Sequence, residues 1–470
     1  MNEHTRIETT GTIAQRLAGF VEGLDGALVP ATVRERARHL ILDAVGIALA
    51  STQYDFSHRT LAALREFGAG EGDVIGYGAG LLPLRDAVMM NGFLIHGLDY
   101  DDTHTRGVIH ATASCFPAAL GVSAEIGASG RDLLTAYVAG MEVATRLGSV
   151  AKGGFHQTGF HPTGLIGAFA CALIAGRLRG LTDRQLAHAQ GIVLSMASGS
   201  LEFLQDGAWT KRLHPGWAGV AGITAAALAR NGFVGPKATY EGRFGLFASH
   251  LGALFDPANL SIATDGLDRE WEVAQVAVKP LPACHFTHAC ADAAVALRTA
   301  HAIRPEDIAH VRALVPAEVV KTVCEPVQYK KKPQNSYDAQ FSIPFAVASA
   351  FVHGRFGLAE LEPHALADPM TLAVAAKVDY EADPKSAFPK YYSGEVIVTL
   401  KDGRELSHRE HMNRGASDRP LSSADIVAKF RENASMALAP AHAARIEEAV
   451  LGLDDGISAR ALSRLLAGRG

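Results

Sequence analysis

The chain has 470 residues with a formal charge of −5, and is 48% hydrophobic and 20% charged. That length supports two or three domains and an extensive core. The mildly acidic balance argues against a surface built to grip a polyanion, so nucleic acid is not an expected partner. The longest apolar stretch, Gly164 to Gly176, is 13 residues and too short to span a bilayer, so a membrane is not expected either. Five scattered cysteines (115, 171, 284, 290 and 324) contain no Cys-x-x-Cys pair, which argues against a disulfide framework, a structural zinc site or an iron–sulfur cluster. With a polar N-terminus lacking a signal-type apolar segment, the expectation is a cytoplasmic protein.

Most of the first 270 residues read as helix. PATVRERARHLILDAVGIALA (30–50) sets Pro30 at a first helical position, with apolar residues at 40, 41, 45, 47 and 49. A helix from about 85 to 98 should run into Asp99-Tyr100-Asp101-Asp102-Thr103-His104, with His110 after it. Ser129 and Asp132 stand at capping-box spacing, as do Thr182 and Gln185. HPTGLIGAFACALIAGRLRG (161–180) is rich in Gly and Ala and should be a buried helix packed closely on its neighbours. HPGWAGVAGITAAALARNG repeats that design and ends at Asn231-Gly232, a C-cap signal.

The texture changes near 270. WEVAQVAVKPL, HVRALVPAEVV, MTLAVAAKVDYEA and GEVIVTLKDGRELSHRE read as strands, the last as a hairpin about Lys401-Asp402-Gly403. Helices are expected at 287–302 and 341–354, and again from Ser422 onward. Lys330-Lys331-Lys332 reads as a solvated loop. The expected fold is mainly α: a large all-helical domain from 1–274 and 411–470, with a smaller α+β lid domain inserted at 275–410. A cleft between the two is the natural place for a site.

GGFHQTGFHPTG (153–164) sets His156 and His161 in near-identical phrases. Five residues of helix turn through about 500°, so the two side chains would stand roughly 140° apart, and on a strand they would face opposite sides. One regular element cannot aim both at one atom. Pro162 pushes His161 out of α geometry and makes it an N-cap, and His214-Pro215 is expected to repeat this directly after Lys211 and Arg212. A helix N-terminus carries about half a positive charge and free N–H groups, which suits a carboxylate and keeps a neighbouring imidazole neutral and basic. His161 is therefore expected to be the chemical member of the pair, with His156 a loop or supporting residue.

DYDDTHTRGVIH (99–110) holds three carboxylates and two histidines, which can serve helix capping, a metal, or metal-free acid–base work. No His-Glu-x-x-His spacing accompanies it. VKPLPACHFTHACADAA (278–294) places Lys279 at a strand end, with His285, Thr287 and His288 leading into a helix. No phosphate-binding loop or dinucleotide fingerprint is evident. Cations that clamp carboxylates, beside a neutral base that moves a proton at carbon, fit a small anionic substrate and need no redox cofactor.

Five stretches in this order resemble the MmgE/PrpD family: NGFLIHGLDYDDTH, GFHPTGLIGAF, KRLHPGWAGVAG with FVGPKATYEGRFG after it, KPLPACHFTHACADAA, and DAQFSIPFAVASAFVHG. The resemblance spans nearly the whole chain. It implies a helical domain with a lid domain, a homodimer, a site between the domains, and neither metal nor cofactor. It places the catalytic positions at Asp99, Thr103, His110 and His161, and substrate binding at Lys211 and Lys279, to which His214, Cys284 and His285 are added. Decarboxylase-like members carry a histidine where this chain has Cys284, so the dehydratase-like Lys-Pro-x-Pro-x-Cys form is the closer likeness. The leading expectation is a lyase of 2-methylcitrate dehydratase type. The alternatives are a cis-aconitate-type decarboxylase or an epimerase on the same scaffold, a metal-dependent hydrolase built on DYDDTH, and a non-catalytic binding protein. The tyrosine that the family places later in the lid has no counterpart near Val323 and Cys324.

Overall fold

A computed structural model describes residues 11–77, 82–454 and 456–468. Helices dominate, and their starts are written in side chains. Thr12/Gln15, Ser129/Asp132, Thr182/Gln185 and Ser422/Asp425 each close a reciprocal capping box. At the other end, Asn231 is the C-cap of the helix Thr210–Arg230, and Gly232 takes φ 85° after it.

The helix Pro162–Leu178 is buried from Pro162 to Gly176 and lies against Thr210–Arg230 at glycine contacts. A Cβ at Gly222 would come within 2.5 Å of the Ala172 nitrogen, and one at Gly164 within 2.8 Å of His214 Cβ. That close approach brings the first turns of the two helices together.

The main apolar core is built by residues from Ile13 to Val278 together with residues from Ile426 to Leu466. A second core is built by residues from Cys284 to Leu400, joined by Phe203 from the loop before Thr210. Short β1 (Thr103–His104) pairs antiparallel with β2 (Val276–Ala277), with Thr103 opposite Ala277. The second core carries a four-stranded sheet of β3 (Ile308–Val315), β4 (Val378–Ala382), β5 (Gly394–Leu400) and β6 (Glu405–Glu410), in the order β4-β3-β5-β6. β3 and β4 are parallel and the other pairs antiparallel. Burial alternates along β5 as a half-covered strand requires, and the helices His285–His301 and Ile343–His353 pack together beside the sheet.

Several expectations need correction. Of WEVAQVAVKPL only β2 is strand, because Glu272–Gln275 forms a helical turn. β3 stops at Val315 before Pro316, and Ala317 to Val323 is helical. MTLAVAA is helix (Pro369–Ala375), opened by Asp368 capping and Pro369 in the first turn, a signal that outweighs its β-branched content. Lys330 is not solvated: it is buried on the helix Val327–Lys331, and its Nζ donates to the Thr322 carbonyl at 3.0 Å. His214 is not an N-cap. Its helix already begins at Thr210, and Pro215 lies inside it.

Among the described residues, no helix is long and apolar enough to cross a membrane.

Candidate active site

The pairing of β1 with β2 draws the loop after the helix Leu84–Ile95 toward Lys279. Asp99 adopts φ 51°, a left-handed conformation that Asp tolerates better than most residues. Its Oδ1 accepts from Lys211 Nζ at 2.5 Å and from Lys279 Nζ at 3.0 Å. Lys279 Nζ also donates to the Asp99 carbonyl at 2.8 Å. Burial alone would raise the Asp99 pKa, but the two ammonium groups overturn that and hold it far below the usual carboxylate range. Burial would lower Lys279, and Asp99 reverses it. Lys429 of the C-terminal helix Ser423–Ser435 locks the frame, with Nζ 2.7 Å from Asp43 Oδ1 and 2.9 Å from both the Tyr100 and Lys279 carbonyls.

Four imidazoles, His96, His110, His161 and His214, cluster beside this carboxylate. The ring of His161 lies 5.5 Å from His96, 6.1 Å from His110 and 5.2 Å from His214. His161 caps its helix as expected, with its N–H donating to the Gly199 carbonyl at 2.9 Å. Its Nδ1 is 3.0 Å from His214 Nδ1, so the two rings share one proton. When His161 donates, its Nε2 keeps a lone pair and is a base; when His214 donates, that Nε2 carries a proton and is an acid. His161 Nε2 is buried and has no other partner. Burial first, then the neighbouring imidazoles and Lys211, push His161 well below its ordinary pKa, and His214 falls to about 4. His110 Nδ1 lies 2.7 Å from the Asp102 carbonyl, which only accepts, so Nδ1 bears the proton and Nε2 the lone pair. Burial and Lys279 hold His110 neutral.

The other wall comes from the second core. Cys284 is the N-cap of the helix His285–His301, and burial and the nearby Asp99 charge push its thiol up to about 11. Asn413 accepts from the Tyr392 N–H at 3.1 Å through Oδ1, which turns its Nδ2 to donate to His285 Nε2 at 2.7 Å. His285 is therefore neutral, its pKa lowered by burial to about 3.

Of the expected residues, Thr103, His110, His161, Lys211, Cys284 and His285 line one cavity. Asp99, Lys279 and His214 stand behind its wall, where Lys279 holds Asp99, Asp99 holds Lys211, and His214 holds His161. Expected as a loop or supporting residue, His156 instead lines the cavity. It sits on the short helix Gly154–Gln157, and the turn through Gly159 (φ 87°) carries the chain round to His161 on a different element. Two elements, rather than one, thus bring both histidines to the same cavity. Phe203, Phe286, Phe341 and Tyr392 complete the wall, and the Tyr392 hydroxyl donates to the Thr105 carbonyl at 3.1 Å. Among the described residues no group of three or more His, Cys, Asp or Glu side chains is placed to share a metal ion.

The MmgE/PrpD N-terminal domain matches residues 15–256, and the MmgE/PrpD C-terminal domain matches residues 281–455. The chain belongs to the MmgE/PrpD family. Among its relatives, a cis-aconitate decarboxylase-like protein of Aspergillus oryzae is 27% identical over 482 residues, covering 97% of this chain and 98% of the relative. The cis-aconitate decarboxylases of Mus musculus and Homo sapiens are each 28% identical over 475 residues, covering 97% of this chain and 94% and 95% of theirs.

The MmgE/PrpD motifs did not single out Tyr392, Asn413, His96 or Phe203. Tyr392 and Asn413 lie more than 100 residues beyond Cys284, in segments whose composition reads as loop; the fold returns Tyr392 to the cavity and Asn413 to His285 behind it. His96 lies inside HGLDYDDTH, but nothing in the spacing marks which histidine an aspartate will hold.

Proposed function

We propose that the protein is a metal-independent lyase acting on a small di- or tricarboxylate, moving a proton at a carbon next to a carboxylate. The observation that carries this reading is the sharing of one cavity by Lys211 and by the buried, neutral His110 and His161. Lys211 and Lys279 balance Asp99 and Asp101 in charge, and Lys211 is the ammonium group that faces the mostly apolar enclosure. An anion entering there would be gripped by charge and stripped of water, and an uncharged base waits next to it.

Decarboxylation is the reading favoured by these relatives, which are cis-aconitate decarboxylases or a protein like them. The aromatic wall supports it too, because desolvating a carboxylate raises its energy relative to neutral carbon dioxide. In this reading Lys211 grips a retained carboxylate, and the His161–His214 pair delivers the proton to carbon. In the same reading the residues around the second core act as a lid, and Phe203 reaches into that core from the loop before Thr210.

Dehydration of a 2-methylcitrate-like hydroxy acid is the second reading, favoured by Cys284 at the position where decarboxylase-like members carry histidine. A protonated thiol there offers no imidazole to steer a departing carboxylate. Incubating the purified protein with cis-aconitate, citrate and 2-methylcitrate, with evolved carbon dioxide and alkene absorbance followed together, separates the two. Carbon dioxide from cis-aconitate supports the first reading, and a new alkene without carbon dioxide the second. Inertness toward all three, with and without EDTA, would sink both.

A further inference from the structure

His96 and Asp101 do not line the cavity described above, yet they are buried against the reacting groups. His96 Nδ1 lies 2.7 Å from Asp101 Oδ2, and its ring is 5.1 Å from His110 and 5.5 Å from His161. His96 Nε2 is buried with no hydrogen-bond partner.

Two features set His96 apart from its neighbours. It alone among the four imidazoles has a carboxylate on its ring nitrogen. It is also the C-cap of the helix Leu84–Ile95, where the helix dipole favours a cation, whereas His161 caps an N-terminus, where the dipole opposes one. The groups that bear on His96 are Asp101 and Asp99 as anions, Lys211 as a cation, and the neutral rings of His110, His161 and His214. An extra proton in this cluster is therefore most stable on His96.

We propose that the His96–Asp101 pair is the proton store of the site: it takes a proton from solvent as an anionic substrate enters, and supplies it to the reaction through His110 and His161. At rest, burial keeps His96 neutral despite Asp101. A substrate's negative charges offset Lys211 and tip that balance toward the imidazolium. Decarboxylation breaks the C–C bond to one carboxylate, releases carbon dioxide and leaves the electron pair on carbon, which takes one proton, so each turnover consumes one. In dehydration the proton taken from carbon leaves with hydroxide as water, and the store is returned to its starting state. The inference rests on the polycarboxylate reading above.

Tricarballylate, a saturated tricarboxylate that can neither dehydrate nor lose carbon dioxide in this way, separates the store from the chemistry. Calorimetric titration at pH 7 in PIPES and in imidazole gives the protons taken up on binding. The wild-type protein should take up between about half a proton and one. Asp101→Asn keeps an acceptor for His96 Nδ1 but removes the charge, and should reduce the uptake at least threefold. His96→Asn keeps a donor to Asp101 and should do the same. In turnover both variants should lose about 10²-fold in kcat, with KM within threefold. Binding without proton uptake in the wild type, or undiminished uptake in both variants, overturns the store alone. No binding of tricarballylate at all overturns the polycarboxylate reading and the store with it.

Discussion

Replacing Asp99 by Asn removes the one negative charge that two buried ammonium groups share. With Nζ atoms 2.5 and 3.0 Å from Oδ1, each attraction is worth roughly 5–7 kcal/mol at an effective dielectric near 20. Desolvation of three ions offsets much of this, and breaking such a cluster from one side costs about 3–5 kcal/mol. Guanidinium unfolding at pH 7 of the wild type, Asp99→Asn, Lys279→Met and the double variant completes a cycle. Asp99→Asn strands both ammonium groups, whereas Lys279→Met leaves Asp99 paired with Lys211. Removing Lys279 therefore costs less once Asp99 is gone, and the double variant should be more stable than the sum of the singles implies, with a coupling of at least about 2 kcal/mol. The pH dependence carries a sign as well. Asp99 has a depressed pKa in the folded protein, so its stabilisation is present above the unfolded value near 4 and is lost as pH falls through the folded value. Below about pH 4 the wild type should lose stability along a slope that Asp99→Asn lacks. Additive single effects, or identical acid slopes, would refute the charge cluster as the support of this wall.

Three further outcomes follow from the same geometry. His161→Ala should lower kcat by about 10²–10⁴-fold with KM little changed, whereas Lys211→Ala should chiefly raise KM; steady-state kinetics showing the reverse pattern would reassign the two roles. Cys284→His should raise the ratio of carbon dioxide to alkene formed from a mixed substrate panel, and an unchanged ratio removes this position from the choice of reaction. Asp102, pushed up to about 8 by burial and the Asp101 charge, gives a stability contribution that is full below about pH 4 and lost as pH rises through 8. Asp102→Asn should flatten thermal unfolding over that window, and a persisting slope would assign it to another group.

Where local chemistry decides a conformation, the sequence was readable. Ser129/Asp132 and Thr182/Gln185 set helix starts through their own hydrogen bonds, and Pro162 made His161 a cap. Where packing decides, it was not. His214-Pro215 carries the same local signal as His161-Pro162, but its helix already begins at Thr210 and holds Pro215 within it, with Gly216 seated against the Met89 backbone. Thr103, His110, His161, Lys211, Cys284 and His285 could be named from motifs because they are clustered in short stretches. That Lys279 and Asp99 form a layer behind Lys211, rather than facing the cavity, follows from burial that no motif encodes. His96 is the sharpest case: its partner is only five residues away, yet the pairing depends on the helix ending where it does.

The most direct measurement is NMR of the reaction in deuterated water, with cis-aconitate and 2-methylcitrate supplied to protein treated with EDTA. The expected result is a lyase product bearing deuterium at the carbon next to a retained carboxylate when cis-aconitate reacts, or an alkene with a proton lost from that carbon when 2-methylcitrate does. Either should be abolished in His161→Ala. Substrates recovered unchanged, or turnover that persists undiminished without His161, would contradict a proton moved by that histidine beside Lys211.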